Sequence, residues 1–181
     1  MVYYNKKISC ILLITFLIPF IIISPVAAAP QLDIKSPSAI LMDAGTGTIL
    51  FEKNSHEKME PASITKIMTM IIALEALESG KVSLSDIVRV SERAWGTGGS
   101  QVFLAPGEEQ TLETLLKCIV IASANDASMA VAEHIGGSVE GFVKLMNDKA
   151  KQLGMRNTNF VNPHGLSSPE HYTTAHDIAL M

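Results

Sequence analysis

The sequence has too few cysteines to build a disulfide framework. Only two occur in 181 residues, Cys10 and Cys118. Cys10 lies in the N-terminal segment that is predicted below to be a signal peptide. Cys118 is then alone in an apolar helical stretch, and one cysteine cannot form an internal disulfide. Because no activating group stands beside it in the sequence, we predict that Cys118 is a core residue.

Clusters of positive charge are also absent. The chain has 14 Lys and Arg against 18 Asp and Glu, and no basic run could follow a phosphate backbone. This excludes nucleic acid as an expected partner. The five histidines are scattered, and His56-Glu57 lacks the second histidine of a zinc-binding helix motif. We therefore expect neither a metal nor a cofactor.

The long apolar run in the sequence stands at its start. Lys6 and Lys7 precede an uncharged stretch from Ile8 to Val26, and small residues close it at 27–29. This order is typical of a secretory signal peptide, which we predict over residues 1–28. A retained membrane anchor is the alternative, because the run is almost long enough to span a bilayer. Either way, we expect an exported protein at the outer face of the bacterial membrane or in the wall, touching the membrane only through this segment.

The remaining chain suits one domain over residues 38–181, after a linker over 29–37. Hydrophobic residues make up 48% of the sequence and charged residues 18%, which is typical of a globular protein. Apolar runs around a Gly-containing turn predict a β-hairpin at 39–52, and short strands are predicted near 87–90 and 109–111 around a Gly-rich loop. Apolar periodicity and stop signals predict helices at 63–79, 112–121, 126–135 and 138–153, with a last helix opening at Thr174.

Two copies of Ser-x-x-Lys occur in the sequence, and their surroundings differ. Ser55 and Lys58 stand among polar residues, so we predict a solvated loop there. Ser63 and Lys66 open a strongly apolar helix, which places both side chains on one face. Burial of that helix, together with its dipole, lowers the expected pKa of Lys66 towards that of a base. Ser63 is therefore the candidate nucleophile.

A polar break, Ser123-Ala124-Asn125, separates two predicted apolar helices. Serine and asparagine are common helix caps, so a capping role is one interpretation. The other is that Ser123 relays a proton to a leaving group while Asn125 holds Lys66 or a substrate backbone. The residues alone leave both interpretations open.

Taken together, these motifs resemble the first two signatures of penicillin-binding proteins and class A β-lactamases. The chain is more similar to the serine D-Ala-D-Ala carboxypeptidases, the low-molecular-mass penicillin-binding proteins, of which it resembles the N-terminal part. The resemblance extends from about residue 37 to 181 through further segments: Asp43-Ala44-Gly45-Thr46-Gly47, Pro61-Ala62-Ser63, Asn125-Asp126-Ala127, Asn162-Pro163-His164-Gly165-Leu166 and His171-Tyr172-Thr173-Thr174.

The resemblance implies an α+β transpeptidase-like fold and a metal-free acyl-enzyme mechanism. Ser63 would attack the terminal D-Ala-D-Ala bond of a peptidoglycan stem peptide, Lys66 would take its proton, Ser123 would help to protonate the leaving D-Ala, and Asn125 would bind substrate. β-Lactams would acylate the same serine. His164 has no role assigned in this scheme, and Asn162-Pro163 favours a structural turn there.

The third family signature, Lys-Thr-Gly or Lys-Ser-Gly, does not occur in the 181 residues. The resemblance places it after the last residue here, so we expect a truncated fold that lacks the C-terminal sheet strands, folds poorly and is inactive. Two alternatives to a carboxypeptidase stay open at this point. One is a β-lactamase, although no Glu-x-x-Leu-Asn follows residue 126; the other is an inert domain that binds wall peptides.

Overall fold

The computed structural model describes residues 32–181, so the predicted signal peptide lies outside the described residues. Residues 36–181 form one compact unit. Residues 32–37, the described part of the predicted linker, contain neither helix nor strand. All the elements below belong to residues 36–181.

The first element is the predicted β-hairpin. Strand β1 (Ala39–Met42) pairs antiparallel with β2 (Ile49–Lys53). The Asp43 carboxylate closes the turn, accepting hydrogen bonds from the Thr46 backbone N–H at 2.8 Å and from its hydroxyl at 2.6 Å. An aspartate that bonds the backbone ahead of it is typical of a tight turn. The prediction of a hairpin is confirmed.

Helices make up most of the remaining secondary structure of this unit, and the predicted helices are confirmed to within about two residues at their ends. A 3₁₀ turn (Ala62–Ile64) leads into α1 (Thr65–Glu78), and five further helices follow: α2 (Glu92–Trp95), α3 (Leu112–Ala122), α4 (Asn125–Gly136), α5 (Val139–Gln152) and α6 (Ala175–Leu180).

Short polar side chains fix where several helices begin. Ser138 accepts a hydrogen bond from the Gly141 N–H at 2.9 Å, and Thr174 accepts one from the Asp177 N–H at 3.0 Å. These N-cap contacts lie where the sequence predicts that α5 and α6 begin. Helix α2 was not predicted, because the sequence indicates only a Gly-rich loop between the two short strands. Ser91 caps α2 there, and one turn of helix was too short to show periodicity.

Helix α4 forms the centre of the core. It contacts α1, α2, α3 and α5, and small residues along it let these neighbours approach closely: Ala127, Ala130 and Ala132. Strands β3 (Ile87–Arg89) and β4 (Glu109–Thr111) pair antiparallel at its side, as predicted. Cys118 is half-buried against this core, as predicted, and burial raises the pKa of its thiol.

Helix α1 is apolar on two faces. Met68, Ile72 and Ala73 face the core, while Ile67 and Leu74 are half exposed on the outer side. Large apolar side chains are also exposed on the hairpin, including Leu50. A helix that is apolar all round is typical of one covered on both sides. Within residues 32–181 no helix is long and apolar enough to cross a membrane.

Candidate active site

The 3₁₀ turn in front of α1 exposes Ser63 to solvent, and the first turn of α1 directs Lys66 to the interior. Ser63 is exposed, whereas Lys66 lies one turn later and is 5% exposed. The turn brings the two side chains together, with Lys66 Nζ 3.2 Å from Ser63 Oγ. The predicted placement on one face is confirmed. The backbone before the pair is unusual, because Ala62 has a left-handed φ of 47°.

Burial sets the charge state of Lys66. Desolvation disfavours the ammonium form and lowers the pKa of Lys66 to about 8. Besides Ser63, Nζ donates to the backbone carbonyl of His164 at 2.8 Å. With a pKa near 8, about a tenth of the Lys66 side chains are neutral at pH 7. The burial that the sequence predicts for this lysine is confirmed.

The carbonyl that accepts from Lys66 belongs to a loop, residues 161–166, which we call the support loop. Asn162 Oδ1 fixes this loop, accepting from the N–H groups of His164 and Gly165 at 3.2 and 2.7 Å. The Thr69 hydroxyl of α1 donates to the carbonyl of Pro163 at 2.6 Å. Two side chains from adjacent turns of α1 thus bond consecutive carbonyls of the support loop.

Gly165 brings the support loop into contact with the serine turn. Its φ is +92°, and a Cβ at this position would lie 1.8 Å from the carbonyl oxygen of Ala62. Only glycine permits both this backbone conformation and this close approach. The glycine is therefore a steric requirement for seating the support loop beside Ser63.

His164 is buried, and its side chain helps to close the support loop. Nδ1 accepts from the Leu166 N–H at 3.1 Å. Burial first, and then the positive charge of Lys66, lowers the pKa of His164 to about 4, so the ring is neutral at neutral pH. The turn predicted at this residue is confirmed. The contact of its carbonyl with Lys66 was missed, although the motif Asn162–Leu166 marked the segment.

Ser123 lies in the same groove as Ser63. It ends α3 with a left-handed φ of 53°, and it lines a groove of about 320 Å³ together with Ser63 and Lys66. The rest of the groove is lined by apolar side chains: Ile67, Met70, Ile119 and Val120. The structure therefore brings together three of the four predicted site residues.

Asn125, the fourth, is buried under the neighbouring Gly-rich loop. Its Nδ2 donates to the Gly98 carbonyl at 2.7 Å, and its backbone N–H donates to the Ser100 carbonyl at 2.7 Å. Asn125 is not among the residues lining the groove. Its amide nitrogen fastens the Gly-rich loop and does not hold Lys66; the contact with a substrate backbone stays a prediction.

The prediction that Ser55 lies in a solvated loop is wrong, because its side chain is buried. Ser55 is 3% exposed, and its hydroxyl donates to the Glu52 carboxylate at 2.7 Å. Lys58 lies apart from it, with Nζ 4.1 Å from the centre of the Tyr172 ring. The segment directly follows the hairpin, and the Ser55 carbonyl accepts from the His176 N–H at 2.9 Å. Packing against the start of α6 buries a serine that its polar neighbours placed in solvent.

The chemistry that these groups allow is nucleophilic. An exposed hydroxyl lies beside a buried amine whose pKa is close to neutral, and a second hydroxyl faces the same groove. An amine with such a pKa can accept a proton from a hydroxyl during attack on a carbonyl. Among residues 32–181, no group of three or more His, Cys, Asp or Glu side chains is placed to hold a metal ion.

This fold and site define a class of protein, that of the penicillin-binding-protein or transpeptidase fold. The chain is similar to the crystal structure of the D-alanyl-D-alanine carboxypeptidase DacD from Francisella tularensis, with 42% identity and a TM-score of 0.80 over 84% of this chain and 37% of that one. It is also similar to penicillin-binding protein 5 from Haemophilus influenzae, with 38% identity and a TM-score of 0.81 over 84% and 45% of the two chains. The predicted α+β fold, present in part, is confirmed.

Within that class, the chain belongs to the Peptidase S11 family, described as D-alanyl-D-alanine carboxypeptidase, which matches residues 25–181. Among curated relatives, it is 55% identical over 151 residues to D-alanyl-D-alanine carboxypeptidase DacF of Bacillus subtilis (strain 168), covering 83% of this chain and 39% of the relative. It is 43% identical to DacC of Escherichia coli (strain K12), covering 87% and 42%. The chain thus spans about two fifths of these relatives' length.

Proposed function

We propose that this chain carries the nucleophilic half of a serine D-Ala-D-Ala carboxypeptidase that shortens peptidoglycan stem peptides. The observation that carries the proposal is the contact between Lys66 Nζ and Ser63 Oγ at 3.2 Å, made by a lysine whose pKa burial lowers to about 8. Family membership and the names of the relatives supply the substrate class.

The first chemical step is acylation of Ser63. Neutral Lys66 accepts the hydroxyl proton while Ser63 Oγ bonds to the carbonyl carbon of the penultimate D-Ala. The bond from that carbon to the nitrogen of the terminal D-Ala then breaks, and the nitrogen takes a proton from Lys66, directly or through the Ser123 hydroxyl. Such proton transfer by a positioned base contributes about 10²–10⁴-fold to rate.

The second step is hydrolysis of the ester on Ser63. Water attacks the acyl carbon, its proton passes to the amine of Lys66, and the shortened peptide leaves as Ser63 regains its hydroxyl hydrogen. The shared groove around Ser63, Lys66 and Ser123 supports this assignment of roles. The role of Asn125 in substrate binding stays a prediction, since its amide nitrogen is engaged with Gly98.

One expected component of the site is absent from the 181 residues, namely the Lys-Thr-Gly or Lys-Ser-Gly signature. In the family, the strand that bears it supplies one oxyanion donor and the cation for the substrate carboxylate. Losing one oxyanion donor costs about 10²–10³ in rate. We therefore propose that residues 1–181 alone turn over slowly or not at all, and that acylation is the step to measure on this chain.

We further propose that β-lactams acylate Ser63 and that the protein works outside the cytoplasm. The cyclic amide of a β-lactam offers Ser63 the same bond to attack as a D-Ala-D-Ala peptide. An extracytoplasmic location fits the signal peptide predicted over residues 1–28, and the relatives named D-alanyl-D-alanine carboxypeptidases are consistent with it.

The test is to incubate the purified chain with benzylpenicillin and measure its intact mass. The proposal predicts a gain equal to one benzylpenicillin, absent from Ser63→Ala. A folded protein that gains no mass at millimolar benzylpenicillin over hours contradicts it and favours the inert-domain alternative. Folding is checked by circular dichroism and a cooperative thermal transition.

A second assay separates the carboxypeptidase from a β-lactamase. The acylated protein is freed of excess ligand, and the decay of the adduct is followed beside the release of D-Ala from a peptide ending in D-Ala-D-Ala. A long-lived penicillin adduct with detectable D-Ala release supports the carboxypeptidase. Adduct loss within seconds, with penicillin hydrolysis and no D-Ala release, supports the β-lactamase.

A further inference from the structure

His171 is a buried histidine to which the mechanism above assigns no role. It is 1% exposed, and its ring bridges two segments that are distant in sequence. Nε2 lies 2.8 Å from the hydroxyl oxygen of Thr65, and Nδ1 accepts from the Val161 N–H at 3.1 Å. The ring edge also packs on Phe160, with 5.8 Å between ring centres.

These contacts fix the position of the ring hydrogen. Because Nδ1 accepts from a backbone N–H, it carries no hydrogen of its own. Burial lowers the pKa of His171, which favours the neutral ring. The hydrogen of a neutral ring must then lie on Nε2, so Nε2 donates to the hydroxyl oxygen of Thr65.

The two residues that bond His171 belong to the two segments that hold Lys66 in place. Thr65 is fully buried and immediately precedes Lys66 in the chain. Val161 is the first residue of the support loop, whose His164 carbonyl accepts from Lys66 Nζ. Nε2 of the ring thus holds the helical turn that carries the lysine, and Nδ1 holds the loop that carries the acceptor of the lysine.

We propose that His171 is a positioning residue for the Ser63–Lys66 pair, acting by joining the first turn of α1 to the support loop. Its significance for catalysis rests on the proposed function, whereas its effect on Lys66 does not. Without the ring, the support loop is held to α1 chiefly by Thr69 and by Lys66 itself. The loop then separates from the helix, water reaches Nζ, and the desolvation of Lys66 falls.

Substitutions at His171 and Thr65 can remove one hydrogen bond of the ring at a time. Glutamine is long enough to bring an amide donor to the Nε2 position and so retains the bond to Thr65. Asparagine is shorter and places its carboxamide oxygen near the Nδ1 position, so it retains only the bond from Val161. Thr65→Val keeps the shape of the threonine and removes the acceptor for Nε2.

The experiment is an NMR titration of the whole chain with ¹³C-labelled lysine, following the Cε signal assigned to Lys66 by its loss in Lys66→Arg. For the parent we expect a midpoint near pH 8. His171→Ala, which removes both bonds of the ring, is expected to raise the midpoint by about one pH unit, because renewed hydration favours the ammonium form. His171→Gln, His171→Asn and Thr65→Val each lose one of the two bonds, and we expect each to raise the midpoint by less than His171→Ala does.

The matched control is His134→Ala, which removes a half-buried histidine that bonds Asp86 and leaves the contacts of Lys66 intact. A midpoint that stays at the parent value in folded His171→Ala and Thr65→Val overturns the proposal. An equal shift in His171→Gln and His171→Ala also overturns it, because a role limited to filling space is not rescued by the amide. If His171→Ala fails to fold, Thr65→Val and the Gln and Asn variants decide the matter.

Acylation by benzylpenicillin distinguishes this inference from the proposed function. If the parent is never acylated while the Lys66 midpoint still depends on residue 171, the positioning role stands and the proposed function fails. If Ser63 is acylated and the Lys66 midpoint does not change with residue 171, the proposed function stands and the positioning role fails.

Discussion

Two segments of this chain share the spacing Ser-x-x-Lys, and the fold treats them in opposite ways. At Ser63 the serine is exposed and the lysine buried, whereas at Ser55 the serine is buried and Lys58 exposed. Spacing alone pairs a serine with a lysine only where the backbone turns helically between them. The 3₁₀ and α turns after Ser63 do so, whereas the single turn at Ser55 and the irregular chain that follows it do not.

The partners of each serine complete the contrast. Ser63 Oγ lies beside Lys66 Nζ, a group able to accept its proton when neutral. Ser55 Oγ already donates to the Glu52 carboxylate, while Lys58 stacks over Tyr172. A buried hydroxyl with a satisfied hydrogen bond is a structural group, and we expect removing it to cost stability rather than chemistry.

The largest expected effect is on the lysines. Lys66→Ala removes the base, and we expect the rate of benzylpenicillin acylation to fall by about 10²–10⁴-fold. Lys58→Ala is the matched control and is expected to change the rate less than twofold, since its exposed ring contact contributes about 0.5–1 kcal/mol to stability. Acylation rates by mass spectrometry check both. Equal losses in the two variants contradict the comparison.

Gly165 tests whether the support loop sets the geometry at Ser63. Gly165→Ala drives a methyl group into the Ala62 carbonyl, and we expect a loss of about 3 kcal/mol in the free energy of unfolding. Gly98→Ala is the control, because a Cβ there meets nothing within 4 Å. Urea denaturation compares the two. Similar stabilities would show that the loop can move away from Ser63 at little cost.

The pH dependence of stability tests the neutral state of His164. Its pKa is about 4 in the folded chain and 6.5 in the reference state, so the unfolded chain binds the extra proton. Stability is therefore fully present above pH 6.5 and falls as pH drops towards 4, by at most roughly 3 kcal/mol. In His164→Asn the carboxamide oxygen can still accept from the Leu166 N–H. This variant is expected to flatten that part of the curve, measured by urea denaturation at several pH values; an unchanged slope contradicts the assignment.

The smallest expected effect concerns the bond from Thr69 to the Pro163 carbonyl. Thr69→Val leaves that carbonyl without its donor, and we expect a loss of about 1–2 kcal/mol, read from the thermal midpoint. Thr114→Val, at an exposed threonine that bonds Thr111, is expected to stay within about 0.5 kcal/mol. If Thr114→Val lowers stability as much as Thr69→Val does, the bond from Thr69 to the support loop contributes no more than an exposed hydrogen bond.

Much of the fold follows from local signals in the sequence. Apolar periodicity marked the helices, and Ser138 and Thr174 marked the starts of two of them, because caps act within one turn. The apolar surroundings of Lys66 likewise predicted its burial. What failed was non-local: Ser55 is buried by α6, which lies more than a hundred residues away in the sequence.

The supports of the site were also beyond local signals. The His164 carbonyl, Gly165 and His171 reach Lys66, Ala62 and Thr65 across about a hundred residues. A backbone carbonyl has no sequence signature, and a glycine or histidine in a loop is compatible with many neighbours. The motif around Asn162 showed that the segment mattered but gave no information on which atoms make contact.

The central claim is that the fold makes one Ser-x-x-Lys pair reactive and the other structural. Its most direct test is peptide mapping after benzylpenicillin treatment of the parent, Ser63→Ala and Ser55→Ala. We predict an adduct on Ser63 in the parent and in Ser55→Ala, with none in Ser63→Ala. An adduct that survives in Ser63→Ala and disappears in Ser55→Ala contradicts it.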